Sequence, residues 1–180
     1  MWLCVSQEAV DRGQAELERV HREGKKAGHR ELAGYIAETL VAERLRKYGA
    51  ELGGPFEPDI LMPGGLRFEV KNQTCLKVYN GRNANVWSSR YKPNAQDATI
   101  FCMYPIVEHT FEAVLKADAV LVVGWIADKH AQKCTILKKG DPVPNMNVRF
   151  DSDTLIVPQT LLNPLDMLEN VLKTRVAAHD

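Results

Sequence analysis

The sequence lacks the features that mark several common classes of protein. Its 180 residues contain no run of eighteen apolar residues, which excludes a predicted membrane-spanning helix, and charge follows the first residues too soon for a signal peptide. The four cysteines form no Cys-x-x-Cys pair, so neither a zinc site nor a dense disulfide framework is indicated. The glycine motifs of phosphate loops, dinucleotide sites and serine hydrolases do not occur. We therefore expect a cytoplasmic protein whose thiols are buried or incidental.

Charge is balanced overall but unevenly placed along the chain. Lys and Arg number 23, as do Asp and Glu, so the formal net charge of zero is unlike that of a dedicated nucleic-acid coat protein. Residues 71–96 nevertheless hold no acid, while they hold the cations Lys71, Lys77, Arg82, Arg90 and Lys92. Phosphate binding depends on where cations lie, so this segment is a candidate contact surface.

Hydrophobic patterning predicts one domain that begins with two helices. Residues 6–23 carry only a thin apolar stripe, so we expect this charged helix to lie on the surface or against a partner. Residues 30–48 form a better amphipathic pattern, which Gly49 ends.

The second half of the chain predicts strands and a final helix. The continuous apolar run at 117–127 is typical of a strand buried on both faces, and 133–139 and 154–159 are shorter strand candidates. A C-terminal helix is expected with Asn163 as its N-cap and Pro164 in its first turn.

The most informative segment is a predicted hairpin over residues 58–73. Pro63, Gly64 and Gly65 separate two strand patterns, and this trio suits a turn because glycine tolerates a positive φ. A three-residue loop would place Asp59 directly opposite Glu69 on one face. A two-residue loop would instead place Asp59 opposite Val70 and break that arrangement.

Alternation along the second strand sorts its side chains into two rows. Phe68 and Val70 would face the core, and the polar row would face a cleft; this row consists of Arg67, Glu69, Lys71 and Gln73. Two carboxylates opposite each other on a ladder repel, and a divalent cation between them would reverse that interaction.

The Glu-x-Lys triplet alone is weak evidence for such a site. Charged residues are common enough to produce it by chance, and Glu23-Gly24-Lys25 is a second copy without a hairpin. Glu69 and Lys71 could equally form a solvated charge row on a surface strand. The preceding Asp59 and the glycine-rich turn favour the metal site.

With these elements the chain resembles the PD-(D/E)xK nuclease superfamily, which includes restriction endonucleases and archaeal-type Holliday-junction resolvases. Pro58-Asp59 is similar to its PD element and Glu69-Val70-Lys71 to its ExK element. The spacing of the preceding helix is similar too, through Gly34, Glu38, Val41, Leu45 and Gly49. The resemblance covers about residues 30–75, and beyond them it extends only to the order of elements.

The resemblance implies an α/β fold of the restriction-endonuclease type, a mixed β-sheet flanked by helices, with an extra N-terminal helix. We expect an N-terminal charged extension over 1–28 and a nuclease-like domain over 29–180, with a polar insertion at about 76–98. The long insertion and the extra helix depart from the family pattern and leave the substrate open.

The resemblance also implies Mg²⁺-dependent hydrolysis of phosphodiesters, with Mn²⁺ able to substitute. Asp59, Glu69 and the Val70 carbonyl would hold the metal, and Lys71 would position or help to deprotonate the attacking water. Glu38 would orient water or bind a second metal, and Gln73 could contact substrate or water.

Nucleic acid is the expected partner, with DNA favoured over RNA and endonuclease action favoured over exonuclease action. Cations could contact phosphates and aromatics could stack on bases; the candidates are Lys77, Arg82, Trp87, Arg90, Tyr91 and Lys92. Trp87 and Tyr91 could instead be core residues that anchor a loop. A homodimer is compatible with cutting two strands, and no membrane association is expected.

Two other functions fit the same sequence. One is a catalytically silent protein of nuclease fold that binds nucleic acid within a larger complex. The other is an interaction protein whose N-terminal charged helix docks a partner.

Overall fold

The structure is a computed structural model that describes residues 1–54, 57–73, 86–90, 95–106, 108–142, 149 and 151–176, with the backbone alone for 86–90 and 176. The helices are α1 (Gln7–Arg22), α2 (His29–Leu45), α3 (Phe111–Leu115), α4 (Asp128–Ala131) and α5 (Leu165–Val176). The strands are β1 (Trp2–Cys4), β2 (Glu51–Leu52), β3 (Ile60–Leu61), β4 (Arg67–Gln73), β5 (Val86–Arg90), β6 (Ala98–Met103), β7 (Ala119–Ala127), β8 (Thr135–Leu137) and β9 (Thr154–Pro158).

Six strands form a mixed sheet in the order β1-β7-β6-β4-β3-β2. The pair β4–β6 is parallel, and the other neighbours are antiparallel. A second, antiparallel sheet has the order β5-β9-β8. The chain is therefore a mixed α/β protein with several helices, as the sequence predicts.

The large sheet separates two apolar clusters. On one face, Leu32 and Ile36 of α2 pack with Val70 of β4 and Ile100 of β6. On the other face, Phe101 joins residues of the small sheet. Helix α2 and the small sheet thus cover opposite faces of β4 and β6.

The hairpin before β4 has the three-residue loop that favours the predicted site. The Met62 N–H donates to the Leu66 carbonyl at 2.9 Å, and Ile60 lies opposite Phe68. Gly64 and Gly65 have φ values of 76° and 78°, a left-handed conformation that costs other residues more. Continuing this register places Asp59 opposite Glu69.

Helix α1 packs against α2 of the same chain, where the sequence predicts only a surface or a partner. Its buried residues are Ala9, Gly13 and Val20. A Cβ on Gly13 would lie 2.8 Å from Cγ1 of Ile36, so glycine permits the close approach of the two helices. The sequence pattern underestimates this face because it gives alanine and glycine no weight.

Strand β7 contacts both apolar clusters, through Val120 and Val122 on the α2 side and Ile126 on the small-sheet side, because its register with β6 shifts by one residue between Val122 and Gly124. The structure corrects two further predictions. Strand β5 lies inside the segment predicted as a polar insertion. Helix α5 begins at Leu165, later than predicted, because the Asn163 backbone exchanges hydrogen bonds with Trp125 instead of starting the helix. Across the described residues, none of the helices is long and apolar enough to cross a bilayer.

Candidate functional site

Asp59 lies just before β3, where its carboxylate is held by the backbone of the neighbouring strand. Oδ2 of Asp59 accepts a hydrogen bond from the Val70 N–H at 2.7 Å. The Asp59 carbonyl accepts another from Gly53 at 3.1 Å. A Cβ on Gly53 would overlap the Pro58 carbonyl oxygen, so only glycine fits there. These contacts fix Asp59 beside the middle residue of the Glu-Val-Lys triplet.

Glu69 and Lys71 form an ion pair on β4. Their side chains retain 12% and 30% exposure, so the pair is not a fully solvated charge row. Val70, between them, belongs to the apolar cluster beneath α2. Alternation therefore places Glu69 and Lys71 on the face of β4 opposite to Val70, away from α2.

Glu38 on α2 has a strongly perturbed carboxyl group near this hairpin. Burial and the negative charges of Asp59 and Glu69, opposed by the positive charge of Lys71, together raise the pKa of Glu38 to about 8. All four predicted charged residues thus interact electrostatically. The excess of carboxylates over cations here makes the site favourable for an added positive charge.

Glu38 and Asp59 also line a cleft of about 630 Å³ between α1, α2 and the segment before β3. We call it the α1–α2 cleft. Its other lining residues include Arg12 and Lys26, and Tyr35, one turn before Glu38. Sequence reasoning missed these three residues. Arg12 comes near Glu38 only through the packing of α1 on α2, whereas Tyr35 could have been found from its helical spacing to Glu38.

Asn72 and Cys102 lie opposite each other on β4 and β6. Burial, together with the nearby charge of Glu38, raises the pKa of Cys102 to about 12, so this thiol stays protonated. Both amide atoms of Asn72 are buried without a hydrogen-bond partner among the described residues. Sequence reasoning overlooked Asn72, although an asparagine at a core-facing strand position is itself an unusual signal.

The remaining predicted site residues divide into three groups. Gln73 lies on β4 in the same row as Lys71. Lys71 lies opposite Phe101 and Gln73 lies opposite Met103, and both of these partners pack in the apolar cluster on the side of the small sheet. Trp87 and Arg90 are on β5, opposite Val157 and Thr154, and only their backbone is described. Lys77, Arg82, Tyr91 and Lys92 lie outside the described residues.

Donor chemistry at the site suits a hard cation such as Mg²⁺. Carboxylate and carbonyl oxygens are its usual ligands, and it commonly takes one or two carboxylates with water completing the shell. No group of three His, Cys, Asp or Glu side chains in the described part of the chain could itself hold a metal ion. A metal at this hairpin would be held by Asp59, Glu69 and the Val70 carbonyl, with water completing its shell.

Comparison with known protein families and with curated proteins finds no match to this chain.

Proposed function

We propose that the chain is a metal-dependent nuclease of the PD-(D/E)xK type, acting on DNA. The observation that carries the proposal is the hairpin geometry, in which the Asp59 carboxylate is bonded to the Val70 N–H, beside the paired side chains of Glu69 and Lys71. These are the residues that the family resemblance selects. The restriction-endonuclease-like fold is part of the same proposal, supported by a mixed sheet with α2 against one face.

Each charged residue has a role in this proposal. Asp59 and Glu69, with the Val70 carbonyl, would hold Mg²⁺, which polarises the phosphate and lowers the pKa of water when bound. The Lys71 ammonium, paired with Glu69, offsets negative charge as it builds up on the phosphoryl oxygens. Glu38 orients water and, with a pKa of about 8, is suited to exchange a proton near neutral pH.

The reaction is hydrolysis of a phosphodiester. The water oxygen forms a bond to phosphorus, and the bond from phosphorus to the leaving sugar oxygen breaks. The attacking water loses a proton to solvent or to Glu38 in its ionised form, and the leaving oxygen gains one from solvent. No oxidant, reductant or further substrate is required.

A cleavage panel tests the proposal. Purified protein is incubated with Mg²⁺ or Mn²⁺ and linear, forked and four-way DNA, together with single-stranded DNA and RNA. We expect metal-dependent cleavage of at least one DNA substrate, abolished by EDTA. If every substrate stays intact, the enzymatic proposal is wrong.

A second candidate is a silent protein of nuclease fold that binds nucleic acid without cutting it. The observation that favours it is that the described residues hold no ready group of three metal-ligating side chains. Calorimetric titration with Mn²⁺ separates the two candidates. A competent site binds Mn²⁺ in the wild type and loses binding on Glu69→Gln, whereas a silent site gives no saturable heat.

A further inference from the structure

A second cavity lies between α5 and one end of the large sheet. Strands β4 and β6 begin at it, with Arg67 and Ala98, and β7 ends at it, with Ala127. Its volume of about 680 Å³ falls within the range of about 300–1,000 Å³ typical of small-ligand pockets. We call it the α5 groove. Its lining includes none of the four charged residues of the candidate nuclease site, so the two sites are separate.

One face of α5 supplies an apolar wall of this groove. The residues of α5 that line it recur at the helical spacing of three and four positions; they are Leu168, Val171, Leu172 and Arg175. Leu168 and Leu172 are buried in the core, whereas Val171 is 46% exposed. The wall therefore retains apolar surface that is in contact with solvent.

Trp125 of β7 forms a second wall, and hydrogen bonds hold it in place. Its Nε1–H donates to the Pro164 carbonyl at 3.0 Å, and its backbone exchanges two bonds with Asn163, at 2.9 and 2.8 Å. The indole is therefore ordered before any ligand binds. Aromatic rings pack favourably on one another, and an ordered wall lowers the entropy lost on binding.

Gln96 brings an unpaired polar atom to the α5 groove. The residue lines the groove and is only 7% exposed. Its Nε2 donates to the Thr99 hydroxyl at 3.3 Å, whereas its Oε1 is buried without a hydrogen-bond partner in the described part of the chain. Buried polar atoms of folded proteins almost always have a partner. A ligand with an N–H donor would supply the missing bond.

Charge in the groove is partly neutralised by internal pairs. The lining holds three cations and two acids, besides His130. Asp97 accepts a hydrogen bond from the Arg67 backbone N–H at 2.8 Å and pairs with the Arg67 guanidinium at 3.5 Å. Asp128 accepts a hydrogen bond from Gln132 at 2.6 Å. Both acids and one of the three cations are therefore bound to neighbours.

The other two cations of the lining are Lys129 on α4 and Arg175 in the last turn of α5. Both are exposed, and neither forms an ion pair with a described residue. Lysine and arginine bind carboxylates through strong, charge-assisted hydrogen bonds. The groove thus combines apolar walls, one buried acceptor and two cations that can receive an anion.

We propose that the α5 groove binds a small aromatic anion. Its ring packs on Trp125 and Val171, and a ring N–H donates to Gln96. Its carboxylate pairs with Lys129 and Arg175. The proposal goes beyond the nuclease function and does not depend on it, because the two sites share no charged residue of the candidate centre.

Calorimetric titration of the full chain with indole-3-propionate tests the proposal. This probe carries an aromatic ring, a ring N–H and a carboxylate, and we expect one saturable site per chain with Kd below about 1 mM. Indole-3-propionamide and 3-(3-aminopropyl)indole lack the negative charge, so both should bind at least about tenfold more weakly. No saturable binding of the acid, or equal binding of the amine, would overturn the proposal.

Matched variants separate the two cations of the groove from general surface charge. Lys129→Ala with Arg175→Ala should weaken binding of the acid about tenfold and leave binding of the amide unchanged. Lys133 follows α4 and Lys173 lies on α5; both are exposed outside the lining. Lys133→Ala with Lys173→Ala should therefore change affinity less than twofold. Equal losses in the two double variants would overturn the proposal.

The apolar wall and Gln96 have tests of their own. Val171→Glu should weaken binding of indole-3-propionate at least about tenfold, because it places an acid on the wall. Met167 is an exposed apolar residue of α5 outside the lining, so Met167→Glu should change affinity less than twofold.

Gln96→Leu should weaken binding of indole-3-propionate about fivefold and leave 3-(1-naphthyl)propionate, which has no N–H, unaffected. Thermal melting checks that each variant is folded. Equal losses for the two acids in Gln96→Leu, or an effect of Met167→Glu as large as that of Val171→Glu, would overturn the assignment of the ligand to this groove.

Discussion

The Asp59 carboxylate accepts a hydrogen bond from the backbone N–H of Val70, at 2.7 Å across the hairpin. This bond ties the end of one strand to the residue between Glu69 and Lys71. The Asp59 carboxylate is therefore held by the backbone of the Glu-Val-Lys triplet and not by the side chains of that triplet. Substitutions of Glu69 and Lys71 leave this bond in place and should accordingly affect chemistry more than folding.

Glu69→Gln and Lys71→Ala should each reduce metal-dependent cleavage by at least about a hundredfold, because each removes a charge from the reacting centre. Thermal melting should show both variants folded. The exposed ion pair of Glu112 and Lys116 on α3 supplies controls. Glu112→Gln and Lys116→Ala should retain full cleavage, and comparable losses in these controls would contradict the assignment of the site.

Glu38→Gln should stabilise the metal-free protein at pH 8 to 9 and have little effect at pH 4. The folded-state pKa of Glu38 is raised, so its contribution to stability is full below the unfolded value of 4.5 and is lost as pH rises through about 8. Glutamine has no ionisable group, so the variant does not undergo this pH-dependent loss of stability. The gain is at most about 5 kcal/mol at 1.36 kcal/mol per pKa unit, and solvent screening reduces it.

Urea melts in EDTA across this pH range measure the effect of Glu38→Gln. The exposed acid Glu18 of α1 provides the control Glu18→Gln, which should show no such trend. A stability difference between wild type and Glu38→Gln that stays constant from pH 4 to pH 9 would show that Glu38 does not titrate in the folded protein as described.

Gly13→Val should destabilise the chain by about 1–3 kcal/mol, because added carbon atoms would press on Ile36 across the α1–α2 contact. Denaturant melts measure this loss. Ala15→Val on the exposed side of α1 makes no such contact and should lose less than about 1 kcal/mol, although it lowers helix propensity and Gly13→Val does not. Equal losses would mean that the helices do not meet at Gly13.

Glu169→Gln should cost about 1–3 kcal/mol at pH 7 and little at pH 3. Burial opposes ionisation of Glu169, but hydrogen bonds from Arg44 and Lys47 prevail and hold its pKa below the usual value. A lowered pKa gives stability that is present above the unfolded value of 4.5 and lost as pH falls. Chemical melts at the two pH values test this.

The control for Glu169→Gln is Glu8→Gln, which removes an exposed ion pair with Arg46. Such pairs contribute about 0–1 kcal/mol, so this variant should melt close to the wild type. A Glu8 effect as large as that of Glu169 would mean that burial is not what distinguishes the two carboxylates.

The hairpin was predictable from sequence because its determinants are local. Two glycines with positive φ and a proline set the turn, and the turn sets the register that brings Asp59 opposite Glu69. The proximity of Glu38 to the charged residues of the hairpin was predicted from the family resemblance alone. Nothing local links α2 to the hairpin, because their contact depends on packing.

The elements that sequence analysis missed are short and depend on distant partners. Strand β1 has three residues and pairs with β7, more than a hundred residues further along the chain. Strand β5 is rich in polar residues and pairs with β9. The register shift within β7 also depends on its partner β6, and it places Val122 on the α2 side but Ile126 on the small-sheet side.

The contact between Arg44 and Glu169 has a consequence for how the protein is made. The two residues are 125 positions apart, and Arg44 belongs to the helix that carries Glu38. During synthesis α2 leaves the ribosome long before α5, so the ion pair between Arg44 and Glu169 can form only when almost the whole chain has emerged. A nascent or truncated chain without α5 should therefore hold Glu38 less firmly, which delays assembly of the site until translation is nearly complete.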